Sequence, residues 1–191
     1  MRQKGGRAMR PLSPGFIKVI RVVDAFSDRC GNVLAWMILP LTAGLTYEVI
    51  ARYVFNAPTL WAYDMSYMLY GSHFMLGAAY ALVRGAHVRT DFFYEKYSDR
   101  QKGLVDATAY LVFFFPALIM FFAASIDDAY YSWKIGELSE QSAWRPILWP
   151  FKATVPLAAL LLLIQGLSEF LKSLYAAMTG RQLVKTEVIQ I

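Results

Sequence analysis

Four stretches of the chain stay apolar for about twenty residues each: 31–51 (GNVLAWMILPLTAGLTYEVIA), 62–83 (AYDMSYMLYGSHFMLGAAYALV), 104–126 (LVDATAYLVFFFPALIMFFAASI) and 153–175 (ATVPLAALLLLIQGLSEFLKSLY). At about 1.5 Å per helical residue, each is long enough to cross about 30 Å of hydrocarbon. The third and fourth carry the clearest pattern. The second is diluted by Asp64, Ser66, Ser72 and His73, which suits a helix lying against protein more than against lipid. The pattern predicts an all-α integral membrane protein with four transmembrane helices, divided into a basic segment 1–30, a membrane domain 31–175 and a tail 176–191.

Two further segments alternate differently. Residues 14–30 (PGFIKVIRVVDAFSDRC) put Phe16, Ile17, Ile20, Val23 and Phe26 on one helical face, with Lys18, Arg21, Asp24 and Asp28 mostly on another. That is the signature of an amphipathic helix lying in the membrane interface. A short surface helix is predicted over 91–102 in the connection 84–103, where Phe92, Phe93 and Tyr97 dip toward acyl chains.

Composition sharpens this picture. With 57% hydrophobic and only 17% charged residues, the chain is too apolar for an ordinary soluble domain. Its net charge of +5 does not point to nucleic acid, because the charges sit in blocks between apolar runs. Seven Lys and Arg precede the first span and five lie in the 84–103 connection, whereas the first connection holds only Arg52 and the 127–149 connection two bases against four acids. Basic residues are retained in the cytoplasm, so both termini are expected there. Charges at 18, 21, 24, 28 and 29 interrupt any apolar core of a signal peptide. The lone Cys30 offers neither an internal disulfide nor a thiolate cluster, and no metal site is expected.

Candidate chemistry is sparse. The two histidines, His73 and His87, stand about 21 Å apart along a helix, so a haem would need a partner's histidine as its second ligand. His73, Gly77, Ala81 and Gly85 recur every fourth residue, a smooth stripe that lets another helix approach closely. Arg84, His87, Arg89 and Asp91 form an interfacial charge cluster, open to solvent, to an anionic headgroup or to a partner carboxylate. Gln165, Glu169 and Lys172 fall on neighbouring turns, with a local pair available to the last two, and Glu48 stands one turn before Arg52. Hydrolase, zinc-protease and phosphate-loop motifs are missing from the sequence, so the protein is not expected to be an enzyme and no cofactor is expected.

The stretch RYVFNAPTLWAYDM, residues 52–65, reads as a hairpin between the first two spans. Asn56, Ala57 and Pro58 supply the turn, with Pro58 suited to opening the next helix; Trp61 and Tyr63 belong to an aromatic belt. Asp64 sits near a helix start, favoured by its dipole, and is open to pairing with Arg52 or with another subunit. Together with LGAAYALVRGAHVRTD (76–91) and ELSEQSAWRPILWPFKATVPLAALLLLIQGLSEFL (137–171), this stretch resembles the small membrane subunit of tripartite ATP-independent periplasmic (TRAP) transporters, the DctQ-type component. The resemblance covers about 48–171, and it departs at Asp64, where Glu is expected more often.

Membership implies a multi-pass protein of the bacterial inner membrane that braces a large multi-span subunit. It also implies a periplasmic binding protein that transiently delivers an organic anion, taken up with an ion gradient, most often sodium. The residues singled out for contact with that partner are Arg52, Asn56, Pro58, Trp61, Asp64, His73, Gly77, Ala81 and Gly85, with Arg84, His87, Arg89 and Asp91 facing lipid or partner. Two other readings of the same residues are a haem-carrying anchor of a redox enzyme through His73 and a self-assembling structural protein.

Overall fold

A computed structural model describes residues 14–85 and 97–180. The chain forms α1 (Pro14–Ala35), α2 (Ile38–Tyr53), α3 (Ala62–Val83) and α4 (Asp99–Ala109), followed by a π-helical turn (Tyr110–Phe114), α5 (Phe115–Ile135) and α6 (Trp149–Thr179). Among the described residues, the one β-type pairing is an isolated bridge between Leu138 and Ile147. Three helical stretches are long and apolar enough to cross a membrane: Gly15–Tyr53, Asp99–Ile135 and Trp149–Thr179. The expected span 62–83 is a helix over those same residues, but its Asp, Ser, His and Tyr side chains leave it less apolar than the other three.

Prolines explain where the rods deviate. The expected helix 31–51 is broken at Trp36 and Met37, four residues before Pro40. Pro40 has no N–H for the Trp36 carbonyl and its ring crowds that carbonyl; Leu39 N–H takes it instead at 3.1 Å. Pro116 follows the π-helical turn, whose wider winding carries the Phe115 N–H back to the Tyr110 carbonyl and accommodates the missing donor. Pro156 lies within α6 without ending it.

Two expected boundaries move. Helix α1 runs unbroken through residue 30, where the interfacial helix was expected to give way to the first span, because no breaker stands there. Gly31 instead admits the Tyr80 side chain, to which a Cβ would come within 2.2 Å. Residues 91–96 of the expected surface helix lie outside the described residues, and 99–102 open a longer rod. Ser98 starts it with a capping box: its Oγ accepts from Gln101 N–H while the Gln101 side chain accepts from Ser98 N–H.

Helix α6 is the hub, packing against α5, α4, α3 and α1, while α2 packs chiefly on α3. The inward stripe of α3 is Ser72, Leu76, Ala79 and Leu82, and α6 contributes Ala158, Ala159 and Ala176. By contrast, no residue in the most apolar stretch of Asp99–Ile135 is buried within the chain. The apolar surface therefore faces outward, as it does where lipid or another membrane protein supplies the surroundings.

Candidate functional site

Two polar constellations stand at opposite ends of the helices. At the first end, the 54–61 connection and the 136–148 loop come together. Glu48 accepts from Arg52 Nε at 2.9 Å and from Thr59 N–H at 3.0 Å, so one carboxylate fastens its own helix end to the turn that follows. Asn56 takes a left-handed φ of 48°, and Ala57 N–H returns to the Ala51 carbonyl at 2.9 Å. Helix α3 then begins at Ala62 with its N–H on Thr59 Oγ1, so Thr59, and not Pro58, opens it.

Asp64 is wholly buried in the first turn of α3. Ser139 Oγ donates to its Oδ1 at 2.5 Å and Ser142 Oγ donates to its Oδ2. Each hydroxyl also accepts from a loop amide, Ser139 from Gln141 N–H and Ser142 from Trp144 N–H, both at 3.2 Å. The carboxylate and two serines thus clasp a loop 75 positions away. The loop is stiffened further by Ser139 N–H to Pro146 O and Leu148 N–H to Glu137 O. Lys152 Nζ lies 2.8 Å from Glu137 and 3.1 Å from Asp128, and its ammonium holds the Glu137 carboxyl below its ordinary value of 4.5.

At the other end, α1 and α6 share a second network. Gln165, wholly buried, accepts from Ser27 Oγ at 2.9 Å. Its amide donates to Asp24 at 3.0 Å and to Glu169 at 3.1 Å. Ser168 Oγ also donates to Asp24, and Lys172 Nζ sits 2.8 Å from Asp24 and 2.7 Å from Glu169. Arg84, over the Tyr80 ring, pairs with Asp28 at 3.3 Å. Buried polar groups that find partners in this way hold helices together where apolar burial cannot.

Arg52 and Asp64 are therefore engaged separately and not with each other. Trp61 stacks on Tyr47 with centroids 5.8 Å apart, and Asn56 and Pro58 are exposed. His73 places Nδ1 3.1 Å from the Leu34 carbonyl, linking α3 to α1. Gly77 has nothing within 4 Å of where a Cβ would stand, Ala81 is half-buried and Gly85 takes a left-handed φ of 65° just past the helix. Within this stripe His73 is engaged with α1, whereas Gly77 stands open. His87, Arg89 and Asp91 lie outside the described residues.

Asp24, Ser139 and Ser142 were not singled out from sequence. The signal for Asp24 lay in its spacing: it shares a helical stripe with Ile20, Ser27 and Gly31, all buried. The serines carried no local signal, since their partner is distant in sequence. Among the described residues, no group of three or more His, Cys, Asp or Glu is placed to hold a metal ion.

These features define a membrane-embedded helical subunit whose polar side chains are spent on joining its own elements. A family model for tripartite ATP-independent periplasmic transporters, DctQ component, matches residues 41–175, and the chain belongs to that family. Members of that family are transport components and not enzymes. Over 66 residues the chain is 29% identical to the sialic acid TRAP transporter small permease protein SiaQ of Vibrio cholerae serotype O1, a stretch that covers 35% of this chain and 38% of that protein. The match thus spans little more than a third of the relative's length. No solved structure matches the chain.

Proposed function

We propose that this small permease component braces a large multi-span subunit in the bacterial inner membrane during uptake of an organic anion. A periplasmic binding protein delivers the anion and an ion gradient, most simply sodium, drives its entry. The observation that carries this reading is the outward apolar surface of Asp99–Ile135, whose most apolar stretch has no residue buried within the chain. That stretch packs on α6 along one side and leaves its other apolar faces open to a neighbour. In this reading α3 is a fourth span beside the three more apolar stretches. Both termini are cytoplasmic, by the Lys and Arg bias of the connections, so the Asp64 clasp lies at the periplasmic end and the Asp24 network toward the cytoplasm.

The brace is a fixed scaffold: its polar clasps join helix to loop and helix to helix. The stripe His73, Gly77, Ala81 and Gly85, open at Gly77, is the proposed seat of a helix of the large subunit, with Arg52, Asn56, Pro58 and Trp61 at its periplasmic rim. Replacing Gly77 and Ala81 with Leu is expected to abolish co-purification with the large subunit and uptake, while the variant chain still inserts and keeps its helical circular dichroism. Intact assembly and uptake in that variant would overturn the assignment of the stripe. Uptake unchanged when sodium is replaced by potassium would overturn the coupling ion alone.

A further inference from the structure

Helix α1 sorts its charges by sign. Its acids are paired, Asp24 to Lys172 and Asp28 to Arg84, whereas Lys18, Arg21 and Arg29 are exposed and form no ion pair among the described residues. These three cations rim an open groove along the surface of α1 alone, whose remaining lining is Ile17, Val22 and Ala25. Lys18 and Arg21 stand one turn apart near one end, and Arg29 lies about 16 Å along the axis at 1.5 Å per residue.

We propose that this groove binds an anionic phospholipid, with the phosphate between Lys18 and Arg21, the apolar lining under the glycerol and first acyl methylenes, and Arg29 available to a second phosphate or a glycerol headgroup. The proposal rests on reading the chain as an inner-membrane subunit with its N-terminus inside. Charge complementarity selects the occupant: three unpaired cations, all donors, beside an apolar floor suit a phosphate that carries acyl chains. Exposed Val19, Val22 and Phe26 on the same helix place hydrocarbon next to the cations, a surrounding that a free anion would not need. Long basic side chains settle their stems in acyl chains and their heads at phosphates. The pairing of the acids matters too, since an unpaired Asp24 or Asp28 would cancel much of the attraction.

The full chain with its large subunit would be placed in nanodiscs of phosphatidylcholine doped with phosphatidylglycerol or with cardiolipin, and the lipid it retains measured by native mass spectrometry. The wild type is expected to enrich both anionic lipids over phosphatidylcholine. Each single change, Lys18→Gln, Arg21→Gln or Arg29→Gln, is expected to lower enrichment up to about fivefold, and the triple variant at least tenfold. Lys134→Gln with Arg145→Gln should leave it unchanged. Arg29→Gln reducing cardiolipin more than phosphatidylglycerol would assign that residue to a second phosphate. Equal enrichment in wild type and triple variant overturns the site, as does a triple variant that sheds the large subunit while keeping its lipid selectivity, which would assign the groove to an acidic protein segment. Because the subunit is scored on the same samples, failure of the lipid site and failure of the brace are read separately.

Discussion

Asp64 shows what a single side chain does here. A carboxylate with no exposed surface is costly unless charge-assisted hydrogen bonds surround it; two serine hydroxyls supply them, and the first turn of α3 adds its dipole. Asp64→Ala leaves both hydroxyls without their acceptor, and for the buried Ser139 the unsatisfied group costs about 1–3 kcal/mol. We expect a drop in Tm of at least several degrees and new protease cleavage within 136–148. Asp64→Asn keeps one acceptor oxygen and should lie between. If the alanine variant resists protease as the wild type does, the clasp does not hold the loop. The sequence marked Asp64 because an acid inside an apolar run is rare. Its partners were not legible, because a hydrogen bond across 75 positions leaves no periodic trace, and the nearer base Arg52 is occupied by Glu48 one turn away.

At the scale of the elements, apolar runs marked the long helices among the described residues, whereas their ends and inner faces followed from other forces. Breaks were set by Pro40 and the capping box at Ser98, both visible as residues though their reach along the chain was not. The inward face of α1 was misjudged for a physical reason. In water Asp24 and Ser27 would face solvent, but a helix that meets Gln165 and Lys172 turns them inward. The small residues also divide by role. A Cβ on Gly103 would stand 2.3 Å from the Ala177 amide nitrogen and 2.6 Å from the Ser173 carbonyl oxygen, backbone that cannot yield, so α4 and α6 touch there only because the side chain is absent. Gly103→Ala should force the helices apart and lower Tm of the isolated chain, by an overpacking cost of about 1–3 kcal/mol. Gly77→Ala, at an open position, should be neutral or stabilising by up to about 1 kcal/mol. Thermal unfolding of the two variants in one detergent checks the contrast; equal losses would mean that Gly77 is packed as tightly as Gly103.

At the scale of the molecule, helices that cannot be driven together by apolar burial in lipid need close contact and polar links. Around α6 both are present: Gly166 receives Phe114 of the π-helical turn, Gly71 of α3 faces Phe151, and the Asp24 network binds α1. The second device is the more vulnerable, because Lys172 stands between two carboxylates that form no other ion pair among the described residues. Lys172→Met leaves Asp24 and Glu169 uncompensated in a largely buried site, which for buried pairs costs about 3–5 kcal/mol. Since the other contacts of α1 are to α3, the expected consequence is release of α1 from α6 and not global unfolding. Cys30, the chain's single thiol, is half-buried on α1 and reports this directly. Its maleimide labelling should rise severalfold in Lys172→Met, and Asp24→Asn added to that variant should restore part of the protection by removing one of the stranded charges. Labelling that stays at the wild-type rate in Lys172→Met would mean that α1 is held by Gly31, His73 and Ile20 alone, and that the polar network follows the packing of the two helices without causing it.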